Sequence, residues 1–374
     1  MRVLVIGGGV VGLSTAWALA KVGHEPLLFE AGPLPNPGGA SHDQHRLIRS
    51  LYGAERGYAC MVGAAYGAWD RLWADLGRRH YVEAGALGIS LQPPESPGND
   101  LAASLTVQRD LKLDHDLLDA RQLSDLCPYF QIPDSAWGLL SRPGGILLAD
   151  KIVAHLAGWL RREGVDLFAE TRAIDIDPEA GAVRLADGQI ALGDAIVVAA
   201  GAWTGKLVPA LAERQTPQRQ LVVFLAPPQS QAAAWAQAPA IAQFPTALDS
   251  YGCPPVAGTR LKLGALAARR ACDPDALTEG STEEAEALFA PFREILTEGA
   301  DYRVTGYKTC PYAVSHEEDR FLTHREGCLT AITGCTGHMF KFGALMGERL
   351  AATATGELAF ESFARWAAGE EIPG

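Results

Sequence analysis

The chain has 374 residues, 48% of them hydrophobic and 20% charged, with a net charge of −12 from 44 acidic and 32 basic side chains. That length favours two domains over one, the composition is that of a globular protein, and the acidic balance argues against nucleic acid or an anionic membrane as the main partner. The seven cysteines (60, 127, 253, 272, 310, 328 and 335) include no CxxC pair, so neither a metal site nor a disulfide framework is expected, and a reducing, cytoplasmic compartment fits.

The chain begins MRVLVIGGGVVG. The apolar run from Val3 to Ala20 is nearly long enough to span a bilayer, but its consecutive glycines divide it into strand and helix, and neither a membrane span nor a secretory leader is expected. Arg2 to Ile6 read as a short buried strand, Leu13 to Val22 as a helix ended by Gly23, and Pro26 to Phe29 as a second strand closed by Glu30. Gly7, Gly9 and Gly12 form GxGxxG between strand and helix. Gly7 permits the tight turn, Gly9 lets backbone approach a pyrophosphate, and Gly12 lets the helix pack closely on the strand. The helix N-terminus supplies amides to phosphate, and Glu30 can accept from ribose hydroxyls. This predicts dinucleotide binding; the motif alone does not separate FAD from NAD.

Next comes SHDQHRLIRSLYG, residues 41 to 53. If the stretch is helical, Arg46 and Arg49 share one face, which is either solvated or turned toward an anion. Residues 58 to 77 have helical spacing, and QPPESPGND, 92 to 100, is a loop. SRPGGILLAD, 141 to 150, leads into a helix over Ile152 to Leu160, followed by a strand in GVDLF and a hairpin near Asp187-Gly188. AIVVAAGAW, 195 to 203, reads as a buried parallel strand, so the nucleotide domain resumes there after an insertion. In RLKLG, alternation puts Arg260 and Lys262 on a polar strand face with Leu261 and Leu263 buried opposite. In ITGCTGHMFKFGALMGERLAATATGE, 332 to 357, Gly334 and Gly337 make a close-approach turn and Phe340 to Thr353 a helix stopped by Gly356. Lys341 then lies in a first turn, where the helix dipole disfavours a cation, a hint that it faces an anion.

Five stretches together carry a resemblance over nearly the whole chain: GGGVVG at 7 to 12, SHDQHRLIRSLYG at 41 to 53, LKLG at 261 to 264, TCPY at 309 to 312 and TGHMFKFG at 336 to 343. In this order and spacing the chain resembles the monomeric sarcosine oxidase and N-methyltryptophan oxidase family, among the D-amino acid oxidase-like flavoproteins. The resemblance implies FAD, linked covalently through Cys310, and oxidation of a secondary amino acid to an imine with O2 reduced to H2O2. It implies that Arg49 and Lys341 grip the substrate carboxylate, as suits a bidentate guanidinium, fixing the reacting carbon against the flavin. It makes Lys262 the cation that favours O2 reduction, since a fixed charge in a dry site stabilises superoxide, and it makes Tyr251 and Tyr312 active-site tyrosines. Cofactor contacts are implied for Gly7, Gly9, Gly12, Glu30, Ser41, His42, Arg46, Gly201, Cys310, Gly334, Gly337, His338 and Lys341. The Gly334-to-His338 turn and Lys341 would stabilise an anionic reduced flavin.

Three departures bear on the substrate. His42-Asp43-Gln44-His45 is one residue shorter than the family pattern, Leu266 stands where the relatives carry a histidine, and FPTALDS, before Tyr251, does not follow the family's substrate-covering loop. A more apolar pocket fits a bulkier or cyclic secondary amino acid better than sarcosine. The other readings are a flavin dehydrogenase of a 2-hydroxy acid or primary amino acid with a non-O2 acceptor, and a non-catalytic dinucleotide-binding protein.

The expected fold is α/β: a Rossmann-like, glutathione-reductase-type FAD domain from residues 1–82, 148–205 and 318–374, and an α+β substrate domain on a mostly antiparallel sheet from 83–147 and 206–317. The flavin would lie between them. The expected partners are a small carboxylate-bearing amino acid and O2, in a monomer or small homo-oligomer.

Overall fold

The central strand, Arg2–Ile6, is apolar on both faces, with Val3, Leu4 and Val5 fully buried. That pattern suits the interior of a parallel sheet covered on both sides, and the chain builds one around it. The computed structural model describes residues 1–244, 249–317 and 319–371. A six-stranded sheet runs in the order Leu322–Glu326, Leu329–Thr333, Ala195–Val198, Arg2–Ile6, Glu25–Phe29, Asp166–Phe168. Its pairings are parallel except that between the first two strands. Helices Val10–Lys21, Ala149–Arg162 and Gly343–Ala354 share one core on one side, through Leu13, Trp17, Leu156, Leu345 and Leu350. A small antiparallel sheet, Ala173–Asp177, Ala182–Leu185 and Ile190–Leu192, packs Val183 and Leu185 against Leu4, Ile196 and Val198 on the other.

The second large sheet has nine strands. Its axis is the long antiparallel pair Gln215–Ala226 and Arg303–Ser315. Strand Leu261–Ala265 pairs with the first of these, and Ser250–Cys253 follows it. Every pairing is antiparallel except Ala240–Gln243 with Ala86–Ser90. Helix Thr282–Ile295, opened by a Ser281/Glu284 capping box, lays Leu288, Phe289 and Phe292 against Leu221, Val223 and Leu263.

A fourth sheet, of three strands, Arg46–Ile48, Gly145–Leu147 and Tyr81–Glu83, corrects the reading of the arginine stretch. Residues 46 to 48 are strand, not helix, so no helical face unites Arg46 and Arg49; three positions apart on extended chain they diverge. The cause is tertiary, because the strand is pinned along Gly145–Leu147. The other differences from the sequence reading are smaller. The long helix runs Arg56–Leu76, capped by left-handed Gly77 at φ +67°. Lys341 sits in a 3-10 turn, Met339–Phe342, ahead of helix Gly343–Ala354, so the first-turn dipole argument does not apply to it. Strand Leu261–Ala265 is buried at every position, which removes the solvated-face reading of Lys262. Residues 245–248 of the FPTALDS segment lie outside the described residues.

Among the described residues no helix is long and apolar enough to cross a membrane, and no cluster of His, Cys, Asp and Glu is arranged to hold a metal ion.

Candidate active site

Both large sheets send residues to one cavity of about 1170 Å³, above the roughly 300–1,000 Å³ of sites for drug-sized ligands. One end is the glycine turn. Gly7 has φ +109°, and a Cβ there would stand 2.5 Å from the Ala199 carbonyl oxygen; a Cβ on Gly12 would stand 1.9 Å from the Gly7 oxygen. Strand end and helix start therefore touch backbone to backbone. Gly9 caps the helix without a side chain, no acid occupies the first turn, and Ser41 Oγ accepts from Val10 N at 3.0 Å. Leading amides and the positive end of the dipole are thus presented to the cavity, which fits a diphosphate. Glu30 lines the same end, but its oxygens already accept from Gly8 N (2.7 Å), Gly32 N (2.9 Å) and Asn36 Nδ2 (2.9 Å). Its first task is to hold the turn.

One wall carries a buried charge cluster. Lys262 is 1% exposed and donates to Asp43 Oδ2 at 2.7 Å and to the His45 carbonyl at 2.5 Å. Arg46 donates to the same Asp43 oxygen, to the His45 carbonyl (3.0 Å) and to Ala40 O (2.6 Å), and its guanidinium lies over Phe340. Burial alone would raise the Asp43 carboxyl, but the Lys262 and Arg46 cations hold it well below the usual carboxylate range. Burial and the nearby Lys262 push His45 down to about 3. Lys308 adds a further cation: its Nζ meets His42 Nδ1 at 2.9 Å and donates to the His42 carbonyl. Burial first, then Lys308, lowers His42.

A second cluster holds Arg49 and Lys341. Arg49 stacks on the Tyr52 ring at 4.6 Å. Lys341, 4% exposed, donates to Tyr52 Oη at 2.8 Å and to the His338 carbonyl at 3.0 Å. With its oxygen accepting from the lysine, the Tyr52 hydroxyl donates to His338 Nδ1 (3.0 Å), so Nε2 carries the ring proton toward the Asp319 carbonyl (3.1 Å). Among the described residues no carboxylate pairs with Arg49 or Lys341. Burial and then Arg49 push Lys341 well below the ordinary lysine range; burial and then Lys341 lower His338.

The remaining wall is supplied mainly by the nine-stranded sheet. Lys308, Cys310 and Tyr312 alternate along Arg303–Ser315 and share one face. Tyr312 donates to Gln220 Oε1 (3.0 Å), whose amide nitrogen is held by Leu221 O (2.8 Å) and Ala265 O (3.0 Å). Tyr251 lies flat over its cross-strand partner Gly264, where a Cβ would come within 2.7 Å of the ring. Leu266 lines the cavity beside them. Burial raises the Tyr251 and Tyr312 phenols and the Cys310 thiol, the last against the cations Arg46, Lys308 and Lys262.

All the residues singled out from sequence reach this cavity except Gly12 and Gly334, which shape its turns from behind. Four more were given no role: Asp43, Tyr52, Gln220 and Lys308. Asp43 and Tyr52 stand inside the 41–53 stretch, and Lys308 is two residues before Cys310, so strand alternation would have found it.

A parallel sheet, a glycine turn at a helix start and a cavity shared with an antiparallel sheet define a dinucleotide-binding protein. Residues 2–353 match the model of the DAO family, FAD dependent oxidoreductase, and the chain belongs to that family. FAD is its cofactor. The chain is 26% identical to monomeric sarcosine oxidase of Bacillus sp. (strain NS-129), over 94% of this chain and 92% of that one. It is 25% identical to N-methyl-L-tryptophan oxidase of Yersinia pestis (strain Pestoides F), over 92% of each. Its fold is like that of the amino acid oxidase NikD in its open form (TM-score 0.81, 22% identity, 99% and 98% covered) and of L-proline dehydrogenase from P. horikoshii (TM-score 0.83, 17% identity, 98% and 96% covered).

Proposed function

We propose that the protein is an FAD-dependent amine oxidase whose substrate is a secondary amino acid, N-alkyl or cyclic, with an apolar substituent. The observation that carries this is the Arg49–Lys341 pair: two cations side by side at the cavity, with no carboxylate paired to either among the described residues. Like charges so placed repel each other and an arriving anion relieves that repulsion, and a carboxylate has the geometry a guanidinium and an ammonium share. The named relatives of similar length, which act on sarcosine and N-methyl-L-tryptophan, support the amine.

The glycine turn, Ser41, Arg46, Gly201 and the Gly337–His338 turn would hold FAD, and Cys310 would carry it covalently. Bound there, FAD would supply the two-electron acceptor for oxidation of the carbon next to nitrogen to an imine, and the route for those electrons to O2. Arg49 and Lys341 fix the carboxylate; Tyr251, Tyr312 and Leu266 bound the substituent and exclude water; Lys262 supplies fixed positive charge where O2 is reduced. Leu266 offers no proton or hydrogen bond, which favours a ring or apolar group over a bare N-methyl. The six-stranded sheet takes its strands from within residues 1–82, 148–205 and 318–374, which supports an FAD domain of those pieces with the substrate domain in 83–147 and 206–317. A cytoplasmic, reducing compartment fits the free cysteines.

The test is peroxide release from a panel of N-methyl amino acids, cyclic secondary amino acids, primary amino acids and 2-hydroxy acids. Peroxide with the secondary amino acids is expected. Anaerobic flavin bleaching by 2-hydroxy or primary amino acids alone, with no peroxide in air, would overturn the proposal in favour of a dehydrogenase.

A further inference from the structure

Lys262 is fully buried, yet the residues that hold it belong to a different part of the chain. Its strand partners across the sheet are Cys253 and Phe224, neither of which offers a charge. The ammonium is taken instead by the loop before strand Arg46–Ile48: Asp43 Oδ2 at 2.7 Å and the His45 carbonyl at 2.5 Å. Asp43 is 5% exposed and receives Arg46 on the same oxygen. Among the described residues it is the only carboxylate ion-paired with either cation. Lys308 adds a third positive charge near this carboxylate, and His45 Nδ1 is buried without a hydrogen-bond partner. Two anchors leave one N–H of the Lys262 ammonium, which has three donors, and Lys262 lines the cavity. Without Asp43, Arg46 and Lys308 would repel Lys262 with only the neutral His45 carbonyl left to hold it.

We propose that Asp43 is the positioning residue for oxygen reduction: it clamps Lys262 between loop and sheet so that one N–H of the ammonium is aimed at the flavin side of the cavity. This rests on the reading of Lys262 as the oxygen-side cation. In the step concerned, the reduced flavin anion gives two electrons and one proton, solvent gives a second proton, and O2 leaves as H2O2. Asp43 donates nothing in that balance; it acts through the lysine.

The experiment is a double-mutant cycle on the flavin-loaded protein with Asp43→Asn, Lys262→Met and the pair. Flavin is photoreduced without substrate, and its reoxidation by O2 is followed by stopped flow; sulfite affinity of the oxidised flavin is measured by absorbance. The expected result is a tenfold or greater loss of reoxidation rate in Asp43→Asn, none beyond Lys262→Met in the double variant, and sulfite affinity altered in Asp43→Asn but not further in the double variant. Wild-type reoxidation in Asp43→Asn, or an equal loss in the Lys262→Met background, overturns the proposal. Wild-type reoxidation in Lys262→Met overturns instead the reading on which it rests. If Asp43→Asn does not fold with flavin, Asp43→Glu keeps the charge and moves the clamp by one methylene; a threefold or greater loss is expected there, and a wild-type rate overturns the proposal.

Discussion

Arg49 and Lys341 divide the work of holding a carboxylate, and the difference between them is testable. Arg49 stacks on Tyr52 and keeps its fork for the ligand. Arg49→Ala should raise KM about ten- to a hundredfold, the size of a charge-assisted hydrogen bond of ~1.5–3 kcal/mol; unchanged steady-state kinetics would remove it from the site. Lys341 adds a pH signature. Its two hydrogen bonds, to Tyr52 Oη and the His338 carbonyl, use two N–H groups, so the proton that titrates is the third, the one a ligand would meet. Burial and Arg49 lower its pKa in the free site, and a bound carboxylate raises it. Below the free-site pKa the lysine is charged with or without ligand and affinity is greatest. Above it, binding must take up a proton, so affinity falls as pH rises toward the bound-state pKa. Titrating flavin absorbance with a simple carboxylate inhibitor should show Kd rising with pH, and Lys341→Met should flatten that rise. Tyr52→Phe keeps the ring under Arg49 and deletes the relay to His338, so it should weaken the inhibitor about tenfold with flavin content unchanged.

At the level of elements, the glycine turn, the first strands and helix, the long helix and the hairpin near Asp187-Gly188 were readable because local rules set them: apolar runs, caps and turn chemistry. The arginine stretch was not. A three-residue strand has too few positions to show a period, and Arg46–Ile48 is extended only because Gly145–Leu147 lies beside it. Lys262 failed for a related reason: alternation marks a polar residue as solvent-facing, and only a distant carboxylate, Asp43, makes its burial affordable. Gln220 gave no signal, since its role depends on carbonyls of Leu221 and Ala265 and on the Tyr312 hydroxyl. The element with the least tolerance is the first helix. Gly12→Ala places a methyl 1.9 Å from the Gly7 oxygen, which backbone must move to relieve. It should abolish flavin binding, read as loss of absorbance in purified protein; full flavin content would show that the turn is looser than its geometry.

For the molecule as a whole, cofactor and fold are coupled. FAD that binds the folded chain alone adds RT ln(1 + [L]/Kd) to stability, so removing it should lower Tm by several degrees. A covalent link would make that loss impossible by dilution. Acid precipitation separates the cases: a yellow pellet is expected, and Cys310→Ser should move the colour to the supernatant. A yellow supernatant from the unaltered protein would mean that flavin is held without the bond.

The six-stranded sheet sets a schedule for biosynthesis. Its middle strand is Arg2–Ile6, yet the neighbour Ala195–Val198 pairs on its far side with Leu329–Thr333. The nucleotide turn thus leaves the ribosome long before Lys341 and the helix Gly343–Ala354 that share its core and cavity. Domains in general fold as units during synthesis, but this one has no complete unit to fold until translation has passed the glycine turn near its end. Until then Ala195–Val198 lacks its outer neighbour Leu329–Thr333, and nascent chains arrested before Thr333 should bind no flavin and depend on chaperones to stay soluble.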